Sequence, residues 1–67
     1  MSRYEAAELI EKARIDRGLN KSELSRKSGV NYQSLYLVLN AKENYGYAVF
    51  TKLVRYLDLD LSFDQLD

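Results

Sequence analysis

The 67 residues, 46% apolar and 30% charged, fit one small soluble domain, residues 1–67, whose core is so limited that an association partner would add useful stability. The lack of Cys and His removes disulfides, thiolate chemistry, the usual zinc sites and the commonest general base. Net charge is zero, no apolar run reaches membrane-spanning length, and Ser2 to Glu11 mixes charged and apolar residues unlike a signal peptide, so a cytoplasmic location is expected.

In chain order, Ser2 and Glu5 form an S-x-x-E capping box. Ala6, Leu9, Ile10 and Ala13 follow at helical spacing, which predicts an amphipathic helix over 3–17. Gly18 supplies a left-handed stop. Asn20 and Glu23 make a second cap pair, starting a short helix at 21–28 with Leu24 facing inward. Gly29 ends it, Val30 is buried in the turn, and Asn31 caps a third helix at 32–40 with Leu35 and Val38 on its core side. Glu43 to Gly46 read as a loop. A fourth helix at 47–57 turns Phe50, Leu53, Val54 and Leu57 inward. "LDLDL", residues 57–61, alternates like a short extended segment. Ser62 and Gln65 cap a last short turn that packs Phe63 and Leu66. The expected fold is all-α, a compact bundle of about five short helices with a central helix-turn-helix.

The charges are segregated. Residues 1–11 carry Arg3 against Glu5, Glu8 and Glu11. Residues 12–42 carry Lys12, Arg14, Arg17, Lys21, Arg26, Lys27 and Lys42 against only Asp16 and Glu23. Residues 43–67 carry Lys52 and Arg55 against Glu43, Asp58, Asp60, Asp64 and Asp67. A basic centre between acidic ends suits a polyanion partner.

The centre, "LNKSELSRKSGVNYQSLYLVLNAK", has the parts a helix-turn-helix needs. Ser25 is small where two helices touch, and Gly29 accepts a turn with positive φ. Leu24, Val30, Leu35 and Val38 tie the second helix to the first. In that motif the second helix enters a DNA major groove with its N-terminal residues on base edges. Residues 31–41 carry no charge, and Tyr32, Gln33, Tyr36 and Leu37 share one helix face. Direct readout does not require charge: Gln pairs with adenine, apolar groups meet thymine methyls, and Tyr hydroxyls reach phosphates or base edges. Arg14, Arg17, Lys21 and Lys42 frame this face.

Across residues 6–66 the chain resembles the Cro/phage-repressor (XRE) helix-turn-helix family. The matching stretches are "ARIDRGLNKSELSRKSGV", "NYQSLYLVLNAK" and "FTKLVRYLDLDLSFDQL". The resemblance implies a domain of five short helices that binds operator DNA, commonly as a homodimer, and often represses transcription. It puts Asn20 and Lys21 at a phosphate, Tyr32, Gln33 and Leu37 at groove-reading positions, and Asn40 and Lys42 in a turn that contacts the DNA backbone. Two helix ends depart from the family pattern: Ala41 and Asp58 stand where Gly is usual.

The expected base readers are thus Tyr32, Gln33, Tyr36 and Leu37. The expected phosphate contacts are Arg14, Asn20, Lys21, Asn31, Asn40, Lys42 and Tyr45, with Tyr45 open to either phosphate bonding or core packing. A weak homodimer completed on DNA is expected through Leu59, Leu61 and Phe63, unless these close the monomer's own core. Neither a cofactor, a metal, a small-molecule ligand nor a membrane partner is expected, and an enzyme is the least favoured class. The rival reading is a protein-interaction module using the Tyr32, Tyr36 and Leu37 face.

Overall fold

The computed structural model describes residues 1–67 and is all-helical, with four α-helices and no strand: α1 (Arg3–Asp16), α2 (Lys21–Ser28), α3 (Tyr32–Leu39) and α4 (Tyr47–Tyr56). The fifth expected helix is a single 3-10 turn, Phe63–Gln65. The "LDLDL" segment pairs with no strand. No helix is long and apolar enough to cross a membrane.

The caps account for where the helices start. The Ser2 hydroxyl accepts from the Glu5 amide at 3.0 Å, while the Glu5 carboxylate accepts from the Ser2 amide at 3.0 Å. Asn20 and Glu23 reproduce this exchange at α2. Asn31 accepts from the Ser34 amide at 2.8 Å to start α3. Each exchange satisfies amides that the first helical turn leaves without partners. Only α4 starts without a side-chain cap, at Gly46.

The helix ends share another device. Gly18 (φ 67°), Gly29 (φ 78°), Ala41 (φ 56°) and Asp58 (φ 55°) all take the left-handed conformation. After α3, the Lys42 amide donates to the Leu37 carbonyl at 2.9 Å and the Ala41 amide to Val38 at 3.1 Å. This is a Schellman motif, and the pair from Leu59 to Val54 and Asp58 to Arg55 repeats it after α4. The sharp turn needed after each helix therefore forms with or without glycine.

The core is one cluster. Ile10, Leu24, Leu35, Val38, Phe50 and Leu53 are at most 1% exposed and draw on all four helices. Leu9, expected inside, is 40% exposed, because α1 turns its narrower Ala6, Ala7, Ile10 and Ala13 side inward. α3 packs against α1, α2 and α4, so its outer surface is held by the rest of the molecule. The radius of gyration is 10.4 Å, close to the value of about 11 Å for a compact chain of this length.

The ends of the chain meet. The Met1 amino group donates to the Gln65 carbonyl at 2.8 Å, and the Asp67 amide donates to the Met1 carbonyl at 3.0 Å. Beside this clasp the Arg3 guanidinium lies 4.5 Å from the Tyr45 ring centre and 5.6 Å from that of Phe63. Its buried Nε and Nη1 have no hydrogen-bond partner, and the ring faces offer the attraction that replaces one.

Candidate nucleic-acid interface

The turn between α2 and α3 is held by two serines, of which Ser28 donates its hydroxyl to the Ser25 carbonyl at 3.3 Å and accepts from the Val30 amide at 3.4 Å. The Ser25 hydroxyl donates to the Val30 carbonyl at 2.6 Å, and the Ser25 carbonyl accepts from the amides of Gly29 and Val30, each at 3.2 Å. Val30, only 3% exposed, anchors the same turn in the core. Ser25 is thus more than a small residue at a helix contact. It ties the end of α2 to the start of α3, so α3 leaves the turn in one orientation.

On α3, Leu35 and Val38 face inward and the opposite side meets solvent. Tyr32 is 50% and Tyr36 53% exposed, and Gln33 is exposed. Leu37, expected to share the reading face, is half-buried and packs on the core, so its apolar side chain is only partly available. Lys21, at the start of α2, joins Tyr32, Tyr36 and Asn40 around a small cleft of about 30 Å³. This brings a cation of one helix beside the uncharged tyrosines of the next.

The expected phosphate contacts divide. Lys21 and Lys42 are exposed and free of salt bridges. Asn20 and Asn31 are exposed caps, with their side-chain oxygens engaged and their NH2 groups turned to no protein partner. Asn40 folds back, its NH2 donating to the Tyr36 carbonyl at 2.8 Å, which leaves one donor hydrogen for another partner. Two of them are engaged within the fold. Arg14 has a side chain only 15% exposed, is paired with Glu11, and donates to the Leu19 carbonyl at 2.7 Å. The hydrogen bond to Glu11, opposed by partial burial and reinforced by the Glu11 charge, raises its pKa above the ordinary arginine value. Its guanidinium is occupied inside the fold, whereas Arg17 stands exposed without an ion pair.

Tyr45 is the second, and of its two expected roles it takes core packing. It is 8% exposed, its ring stacks on Phe50 with centres 6.3 Å apart, and its hydroxyl is buried with no partner. Tyr47 is 61% exposed and touches Phe63 edge-on.

The expected dimer residues are also occupied. Leu59, Leu61 and Phe63 are half-buried and pack against the core, and Phe63 lies among Tyr45, Tyr47 and Phe50. They close the monomer, and the acidic residues between them form its solvated edge.

No protein-family model matches the chain, and no curated protein matches it.

Proposed function

We propose that the chain is a helix-turn-helix domain that binds double-stranded DNA as a small transcriptional regulator, most simply a repressor, as its resemblance to the Cro/phage-repressor family implies. In this reading α2, the Gly29 turn and α3 form the motif, with α3 as the recognition helix. The 3-10 turn at Phe63–Gln65 stands in for the family's fifth helix.

One observation carries the reading. An exposed, uncharged helix face of Tyr32, Gln33 and Tyr36 is flanked by unpaired cations, Lys21 beside it and Lys42 in the turn after it. Uncharged readers favour A·T-containing steps through Gln–adenine pairing and contact with thymine methyls. Lys21, Lys42 and Arg17, with the NH2 groups of Asn20 and Asn31, supply the phosphate contacts.

Zero net charge, with Arg14 already engaged internally, favours the second reading, in which Tyr32 and Tyr36 meet another protein. Fluorescence anisotropy with a labelled random duplex at two salt concentrations separates the two. About four to six phosphate contacts per pair of chains make affinity fall by orders of magnitude as salt rises. No binding at low salt would discard the DNA reading and leave the protein one.

A further inference from the structure

Helix α1 buries Ala6, Ile10 and Ala13, and nothing in the chain covers its opposite side. There Tyr4 is 73% and Ile15 61% exposed, and between them stand Glu8 and Lys12, both exposed. At 3.6 residues per turn these four positions fall within a stripe about 80° wide. Their order along the helix is apolar, acid, base, apolar.

That order complements its own reverse. Two copies of α1 packed antiparallel about a two-fold axis near residues 9 and 10 set Tyr4 against Ile15 and Glu8 against Lys12, each contact occurring twice. Parallel packing would instead set Glu8 against Glu8 and Lys12 against Lys12.

The charges are available for this pairing. Glu8 has no ion-pair partner within the chain, and Lys12 makes only one long, solvent-exposed bond to Asp16, at 3.4 Å. The neighbouring acids are engaged: Glu11 by Arg14, and Glu5 by the α1 cap. The stripe itself, Glu8 and Lys12 included, lines an open trough of about 610 Å³ bordered by Leu39, Asn40 and Ala41, which has room for an aromatic side chain of a second copy.

We propose that this face is where two copies of the chain meet, as an antiparallel α1 pair. The 14-residue helix is about 21 Å long, so the contact covers less than the roughly 800 Å² per partner of a stable interface. The dimer is therefore weak and dependent on concentration. It does not rest on the DNA reading.

The test is sedimentation velocity without DNA, from micromolar to millimolar chain, with circular dichroism to verify that each variant is folded. A reversible monomer–dimer equilibrium is expected. Glu8→Lys and Lys12→Glu alone each weaken it about ten-fold, because two attractive pairs become two repulsive ones. The double variant Glu8→Lys/Lys12→Glu returns it to within about three-fold of the parent, since the swapped charges pair again. Ile15→Glu removes the dimer while the chain stays folded. A chain that remains monomeric at millimolar concentration overturns the proposal, as does a dimer indifferent to Glu8→Lys or a double variant as weak as the singles.

Discussion

Replacing Ala41 with glycine should make the protein more stable, although it removes a methyl group. Ala41 ends α3 at φ 56°, a region where a side chain crowds the backbone. Holding a non-glycine residue there costs roughly 1–2 kcal/mol. Glycine removes that cost but gives the unfolded chain more freedom, worth about 0.4–1 kcal/mol in the opposite direction. The net gain is about 0.5–1 kcal/mol, or about 2–8 °C in Tm for a domain of this size. Gly29→Ala is the mirror experiment. A Cβ there meets nothing within 4 Å, so its cost of about 1 kcal/mol is purely conformational. Thermal and urea melts followed by circular dichroism measure both. An Ala41→Gly variant no more stable than the parent, alongside a Gly29→Ala variant that loses stability, would refute the left-handed ending of α3.

Tyr45→Phe should leave DNA affinity unchanged and keep or raise stability by about 1 kcal/mol, because the deleted hydroxyl is buried without a partner; weakened DNA binding would restore Tyr45 as a contact. Arg14→Ala should lower stability by about 1–3 kcal/mol in urea melts by stripping partners from Glu11 and the Leu19 carbonyl, with little effect on affinity per folded molecule. Gln33→Ala should cost about 1–3 kcal/mol on a site selected from random duplexes and little on unselected DNA, whereas Lys21→Ala should weaken both alike and flatten the salt dependence; anisotropy on the two duplexes distinguishes them. The Glu5 pKa is held below the ordinary 4.5 by hydrogen bonds from Ser2, the backbone one first. A depressed carboxyl pKa stabilises the fold above the unfolded value and loses that contribution as pH falls through the folded one. Amide exchange at the start of α1 should therefore speed up below about pH 4.5 relative to a Glu5→Gln variant, in which this loss is absent.

The local grammar was readable in the sequence. Ser2 with Glu5, Asn20 with Glu23, and Gly29 followed by Asn31 marked helix starts and ends to within a residue, because caps and left-handed turns act between residues a few positions apart. The spacing of Leu35 and Val38 likewise told which side of α3 turns inward, and so which side presents Tyr32 and Gln33. Side-chain partners were the part that only the tertiary structure decided. Arg14 is the exception, since Glu11 and the Leu19 carbonyl lie only three and five residues from it along the chain. Tyr45 looked like a loop residue until Arg3, Phe50 and Phe63 enclosed it, and these come from three distant parts of the chain. Leu59, Leu61 and Phe63 alternate like an exposed apolar strip, yet the meeting of the chain ends turns them onto the core. On α1, periodicity cannot say which side of the helix remains uncovered once the others have packed. Local hydrogen bonding is written in neighbouring residues, whereas burial depends on segments that only folding brings together.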